Sequence, residues 1–527
     1  MEQGQGLRAR VAFLAGAAAM LVPTALLGVA HLVQANIPFP ALGLAQRVVE
    51  VIPGAVSVYF IERLGHWALR LFATGFTVGS VLVGGVAGIL VARVPLRRRL
   101  IAAFAAAAVL AAIALGGYRS QPGAPSLTTY AAVLAVAGVL FALSLRGSLE
   151  RLERDQAPPR ARGLGRTRRE VLRAGVGALG LLAVGLAFRR LSGGGLGDRG
   201  GNALVRPSGA APLRTASVPP DPPEDAPFRS IAGLSPEITS NHSHYVVDTS
   251  IIDPDVDPTS WKLRVGGMVP KPYTIGYNEL LSMPAFEQIV TMQCISNEVG
   301  GNLVGTAKWT GVPLAALLDR AGGVPAKAVR VVFHAVGGYT DSLPVAKATD
   351  GMTVVAYGMN GRTLPRAHGY PVRIIAPGIY GMKSVKWLDR IEVVDYDFKG
   401  YWAAGAGWDN IAIIKTASRI DVPAELTAVK GDTMVAGVAW AGERGIQRVE
   451  VSFDGGRTWT AATLRRKLSR TGWRQWRVPW RPTSSGKTDV MVRAVDGQGQ
   501  LQIQTAAPPF PSGSSGYQRV EVVTGND

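Results

Sequence analysis

The chain has 527 residues, one cysteine, six histidines and a formal net charge of +19. A single thiol excludes an intrachain disulfide framework, a four-cysteine zinc site and a self-ligated iron–sulfur cluster, but not a metal held by one thiolate. With 47% hydrophobic and 18% charged residues, the composition points to membrane segments, and the length to three or four domain-sized units.

The charge is uneven. Residues 1–200 carry 22 Arg, no Lys and 8 acidic residues, whereas the rest carry 34 basic and 29 acidic groups. The N-terminal arginines flank apolar runs instead of lining a folded basic face, which argues for membrane topology and against nucleic-acid binding. Five stretches, near 11–33, 72–92, 100–118, 128–145 and 171–188, are long and apolar enough to cross a bilayer. They define an α-helical membrane domain over 1–189. The interval 37–71 is interrupted by Arg47, Glu50, Glu62 and Arg63; it reads as an interfacial or re-entrant pair, with a sixth crossing as the alternative. Arg8 and Arg10, then Arg93, Arg97, Arg98 and Arg99, then nine arginines from Arg146 to Arg173 mark the cytoplasmic loops. By the positive-inside rule, five spans place residues 190–527 on the extracytoplasmic side of the cell membrane. His31 and His66, near the outer face, are a candidate haem pair, although histidine is more often an ordinary polar residue there.

Thr167-Arg168-Arg169-Glu170-Val171-Leu172, directly before the last span, resembles a twin-arginine export signal placed internally, over 167–188. A positive-inside anchor with two adjacent arginines is the plain alternative. Residues 190–228, rich in Gly, Pro, Ser and Asp, read as a flexible and then stiffer tether.

From 229 to 417 the pattern is that of a mixed α/β domain. Trp261 to Val265 alternates like a half-buried strand, Tyr277 to Leu281 and Leu314 to Leu318 read as short helices, and Val329 to Phe333, Val372 to Ile375 and Ile391 to Val394 are β-branched runs suited to buried strands. The one thiol, Cys294, ends the strand-like Val290-Thr291-Met292-Gln293. A lone cysteine is usually a small buried hydrophobe, but a soft thiolate also suits a high-valent oxo metal.

The company of Cys294 favours the metal. Cys294-Ile295-Ser296-Asn297 with Lys308-Trp309-Thr310-Gly311-Val312-Pro313-Leu314, and His368-Gly369-Tyr370-Pro371-Val372-Arg373 followed by the run from Pro377 to Leu388, resemble the sulfite oxidase superfamily of molybdopterin oxidoreductases over about 240–400. The resemblance implies a molybdenum–molybdopterin cofactor with Cys294 as metal ligand. It implies that His368, Arg373, Lys383, Ser384, Val385 and Lys386 hold the pterin and its phosphate. Ile238 to Tyr245 resembles a further pterin segment and nominates Asn241, His244 and Tyr245. Basic donors suit a phosphate, and arginine adds a planar fork; solvated surface charge is the bland reading of Lys383 and Lys386. Tyr339 and Asp341 are candidate catalytic residues beside the metal, with a surface turn as the alternative.

The chain also departs from the family. Arginines that bind sulfite there are replaced here by Val246-Val247-Asp248 and Asn297-Glu298-Val299, and the family's Asp-Tyr-Lys-Gly segment reads Asp397-Phe398-Lys399-Gly400. Tyr396 and Tyr401 are candidate substitutes for the missing tyrosine, although neither aligns with it. Fewer guanidinium groups and an added Glu298 disfavour a dianion. A sulfoxide, an N-oxide or another small uncharged substrate is therefore expected, in two-electron oxygen-atom transfer.

Residues 418–527 read as an immunoglobulin-like β-sandwich, with an alternating strand from Gln447 to Phe453, a hairpin at Asp454-Gly455-Gly456 and strand-like runs around Trp476 and Val490 to Ala494. The region from Glu450 to Asp496 resembles the family's molybdenum-cofactor dimerisation domain, which implies a homodimer. The whole reads as a membrane-anchored molybdenum oxidoreductase. Its partners would be the lipid bilayer, a small substrate and an electron carrier such as a quinone, a cytochrome or a haem membrane subunit, with no nucleic acid. Sulfite oxidation is one alternative; a non-catalytic membrane receptor that retains the fold is the other.

Overall fold

The structure is a computed structural model that describes residues 2–33, 67–115, 127–155 and 201–525, except 219, 248 and 250–252, with a few isolated positions between 39 and 56. The chain forms two compact units.

Among its described residues the N-terminal unit has four long helices: α1 (Glu2–Val33), α2 (Trp67–Ala92), α3 (Arg99–Leu115) and α4 (Leu127–Asp155). They carry stretches long and apolar enough to cross a membrane: Ala9–Gly28, Leu71–Ala92, Leu96–Leu115, which begins in the 3-10 turn Leu96–Arg98 that leads into α3, and Tyr130–Glu150. These match four of the five expected spans. The fifth, at 171–188, lies outside the described residues, as do the twin-arginine-like segment and most of 37–71. The helices are apolar all round, as membrane helices are: Ala15, Ala87, Ala103, Phe141 and Leu145 pack inside, while Leu82, Val86, Ile101, Val109 and Val136 face outward. A β-carbon at Gly16 would collide with the Gly84 carbonyl, and one at Gly88 with the Ala12 carbonyl. Glycine at these positions therefore permits α1 and α2 to approach backbone to backbone.

The second unit begins with two mixed sheets. In the first, the strand order is Leu213–Arg214, Ala285–Gln293, Val304–Pro313, Val354–Met359 and Arg373–Ile375, with Arg362–Thr363 pairing Val354–Met359. In the second it is Tyr273–Gly276, Lys262–Gly267, Leu388–Val394, Arg330–Ala335 and Thr340–Pro344. The short helices Tyr277–Ser282 and Leu314–Arg320 pack their leucines into the shared core. These elements match the strand and helix expectations closely, because the β-branched runs are buried on both faces.

The remainder is β-rich. One sheet holds Ala417–Val422, Thr433–Trp440, Arg474–Trp480 and Thr463–Leu464; the other holds Ala428–Lys430, Gln518–Gly525, Gly486–Asp496, Ile446–Ser452 and Thr460–Ala461. Ile420, Val435, Ala439 and Trp476 from one sheet share a core with Val449, Val451, Val492 and Val522 from the other, so the region is a two-sheet sandwich. The hairpin falls at the expected Asp454-Gly455-Gly456, where the Asp454 carboxylate accepts from the backbone N–H groups of Arg457 and Thr458 and Gly455 and Gly456 both have positive φ.

This sandwich covers the strand that leads to Cys294. Thr291 N donates to the Thr471 carbonyl (2.9 Å), Trp473 N donates to Thr291 Oγ1 (2.6 Å), and Trp440 Nε1 donates to Gln293 Oε1 (2.8 Å).

The expected tether is folded from residue 201 onward. Leu213–Arg214 pairs in parallel with Ala285 and Phe286. Phe228 is buried beneath the guanidinium groups of Arg465 and Arg477. Asp221 is clamped by Arg229, Arg465 and Arg466. Proline and glycine content suggested a linker, but a few apolar and acidic anchors hold the segment against cations far away in sequence.

Candidate active site

Cys294 directly follows the strand Ala285–Gln293 and is buried, at 8% exposure. Its N–H donates to the Leu303 carbonyl (2.9 Å), which fixes the turn after the strand. Its Sγ lies 3.0 Å from Ser296 Oγ. The next loop closes through Leu303 N, which donates to Asn297 Oδ1 (2.8 Å). The side chain is thus held at the mouth of a rigid sheet, as a ligand position requires.

Beside it stands a buried cluster of nitrogen donors. Arg373, at 5% exposure, opens its strand and donates to the carbonyls of His368 (3.0 Å) and Ser384 (2.9 Å). Its guanidinium lies 5.3 Å from the centre of the Trp309 ring. No carboxylate among the described residues pairs with it, and burial lowers its pKa to about 10. His368 Nε2 bonds the Asn241 carbonyl (2.8 Å), and its ring meets that of His244 edge-on at 5.4 Å. His244 stacks on Tyr245 at 5.1 Å and meets Trp309 edge-on at 5.9 Å. Burial pushes the His244 pKa down to about 4 and that of His368 well below the usual imidazole range, so both are neutral at pH 7. Asn241 donates to the Met359 carbonyl (3.2 Å) and accepts from Asn360 Nδ2 (2.7 Å).

The structure therefore brings Asn241, His244, Tyr245, His368, Arg373 and Ser384 together. Val385 is buried behind them, and its carbonyl accepts from Ile374 N (2.9 Å). Lys386 is half-buried; its amine donates to the Ala367 carbonyl (3.0 Å) and lies 4.7 Å from the centre of the Trp387 ring.

Lys383 behaves differently from its expected role. It is fully buried, and its Nζ donates to Asp341 Oδ1 (2.6 Å) and Asn410 Oδ1 (3.0 Å). Its charge is met inside the protein, so it is no open phosphate donor. Asp341 is equally buried; it also accepts from Ser342 N (2.8 Å), and Tyr339 Oη lies 3.4 Å away. Asp341 therefore lies in the interior, while Tyr339 is half-buried directly after the turn at 336–338. Tyr339 Oη donates to the Met382 carbonyl (2.7 Å). Its pKa rises well above the usual phenol value through burial and the neighbouring Asp341 charge. Glu298 is exposed; among the described residues, the buried carboxylate beside Tyr339 and Lys383 is Asp341. Of the two other candidate tyrosines, Tyr401 lies 5.6 Å from Tyr339, ring to ring, whereas Tyr396 is exposed.

Three contributors had no assigned role from the sequence. Trp309 is fully buried against Arg373 and His244, and its Nε1 has no hydrogen-bond partner among the described residues. Its place in the Lys308 to Leu314 block was the available signal. Ser296 and Asn410 act through contacts that no local pattern announces.

The cluster fits an anionic, polar cofactor. A buried guanidinium without a carboxylate and an orphaned indole N–H are costly unless a ligand meets them. The described residues include no group of three or more His, Cys, Asp or Glu side chains that could hold a metal ion, so a metal at Cys294 would draw its other ligands from a cofactor.

Residues 250–402 match the family model of the oxidoreductase molybdopterin binding domain, and residues 409–508 match that of the Mo-co oxidoreductase dimerisation domain. Mitochondrial sulfite oxidases of Macaca fascicularis and Homo sapiens are each 30% identical over 303 residues, covering 48% of this chain and 55% of theirs. The sulfite oxidase of Gallus gallus is 30% identical over 306 residues, covering 48% of this chain and 66% of its own. The chain thus spans about half the length of the mammalian relatives it matches. Among solved structures, the sulfane dehydrogenase SoxCD from Paracoccus pantotrophus is 22% identical, covers 56% of this chain and 82% of that one, and has a TM-score of 0.49.

Proposed function

Residues 250–508 belong to the sulfite oxidase superfamily of molybdenum-dependent oxidoreductases, and on that premise we propose that this chain is a membrane-anchored enzyme that transfers an oxygen atom to or from a small uncharged substrate, of the sulfoxide or N-oxide class. The observation that carries the reading is the buried Cys294 beside a donor cluster in which Arg373 has no acidic partner.

When bound, the molybdenum–molybdopterin cofactor supplies a metal centre that takes up or gives two electrons. Cys294 would ligate that metal through a thiolate. Arg373 offers its guanidinium to the cofactor phosphate. Neutral His244 and His368, with Asn241, offer single hydrogen bonds to the polar ring system. Trp309 supplies an unpaired N–H and an apolar wall. Tyr339 presents a phenol that burial keeps protonated, its hydroxyl held on the Met382 carbonyl. The Lys383–Asp341 pair leaves no net cation for a dianion, which favours an uncharged substrate.

Sulfite oxidation is the second reading, favoured by one observation: the curated relatives at 30% identity are named sulfite oxidases. The four apolar helices, together with the fifth span expected at 171–188, would anchor the enzyme and place residues 190–527 on the extracytoplasmic side after twin-arginine export; a homodimer and a separate electron carrier complete the reading.

The test is the full chain purified in detergent from a host that makes the cofactor. Molybdenum with turnover of dimethyl sulfoxide or trimethylamine N-oxide against a reduced dye is the expected result. Molybdenum with turnover of sulfite alone would favour the second reading, and an absence of molybdenum would overturn both.

A further inference from the structure

The Lys383–Asp341 pair raises a question that packing alone does not answer. A buried ion pair contributes little stability that well-packed apolar residues could not match. This one sits on the turn that abuts the cysteine. A β-carbon at Gly381 would lie 2.5 Å from Tyr245 Oη and 3.4 Å from the carbonyl of Gln293, the residue before Cys294. Met382 packs in the same cluster as Ile295, the residue after it. Lys383 follows at once, fully buried, with its ammonium on Asp341.

The carboxylate is held as tightly as the cation. Ser342 N and Lys383 Nζ donate to it, Tyr339 Oη lies 3.4 Å from it, and the backbone of Gly400 is laid so closely on it that a β-carbon there would collide with the carboxylate. Asp341 therefore cannot swing aside to expose the amine.

We propose that Asp341 is a specificity-determining residue that masks the Lys383 ammonium, so that the site beside Cys294 refuses anionic substrates which a bare Lys383 would bind. The inference rests on the reading of Cys294 as the metal ligand and deepens its substrate class. A dianion entering next to an internally neutral pair meets the Asp341 charge as well as the lysine. With the carboxylate gone, it would meet a desolvated cation.

The test uses sulfate, a dianion that does not turn over, titrated calorimetrically into molybdenum-assayed full-length protein in detergent. Asp341→Ala should bind sulfate on the order of ten- to a hundredfold more tightly than wild type, the range of a charge-assisted hydrogen bond. Asp341→Asn keeps the shape and the Ser342 contact, removes the charge and should gain in the same direction, so it carries the test if the alanine variant fails to fold. The double variant Asp341→Ala, Lys383→Met should return to wild-type affinity. Wild type binding sulfate as tightly as the single variants, or the double variant keeping the gain, would overturn the mask. Wild-type protein without molybdenum would count against the proposed function, whereas loaded protein without the sulfate gain would count against the mask alone.

Discussion

Arg373 and Lys383 lie ten residues apart, are both buried, and were both expected to hold the cofactor, yet they occupy opposite electrostatic situations. Arg373 donates to backbone carbonyls and faces an indole, with no acid to neutralise it. Lys383 is closed by Asp341 at 2.6 Å. A buried cation is costly until something negative meets it. The partner already present thus separates a cation that waits for a ligand from one that does not. The lesson is that basic residues in one motif have to be sorted by their acids, not by their spacing.

Breaking each side of that comparison gives different results. The largest effect is expected from Arg373→Met, which removes the fork: molybdenum per folded protein should fall by more than about tenfold, the scale of a charge-assisted hydrogen bond. Arg373→Lys should recover it only in part, because a point charge lacks the planar pair of donors. Lys383→Met leaves Asp341 buried and unpaired, so chemical denaturation should show a loss of roughly 3–5 kcal/mol in stability, while molybdenum per folded molecule stays within about twofold.

The pH response sharpens the same side. His244 titrates near 4 in the fold, against about 6.5 in an unfolded chain. The unfolded state therefore binds more protons between these values. Stability attributable to His244 is fully present above pH 6.5 and is lost as pH falls from there towards 4, on the order of 3 kcal/mol by linkage. His368 acts in the same direction. Melting of the cofactor-free protein across that range checks it; flat stability would contradict the neutral histidine pair. The smallest effect is expected from Lys386→Ala, a half-buried amine over Trp387, at about 1 kcal/mol or less in stability.

Much of this was legible in the sequence, for identifiable reasons. Helices α1 to α4 showed as uninterrupted apolar stretches, and the β-branched run at 330–335 became a buried strand because both faces are covered, whereas 388–394 buries Leu388, Ile391 and Val393 and leaves Arg390 exposed. Cys294, Arg373 and the histidines could be found because they sit in contiguous blocks. The Lys383–Asp341 pairing could not, since it joins residues 42 positions apart through tertiary packing alone. The segment 201–230 misled in the other direction: its composition is a linker's, but Asp221 and Phe228 find Arg465, Arg466 and Arg477 more than 230 positions away.

The central claim is that Cys294 holds molybdenum within a cradle built on Arg373. Metal analysis of the purified wild-type chain and its Cys294→Ser variant, both from a cofactor-competent host, tests it most directly. The account predicts close to one molybdenum per chain in the wild type and a marked loss in the variant. Wild-type protein without molybdenum, or a serine variant that keeps all of its metal, would contradict it.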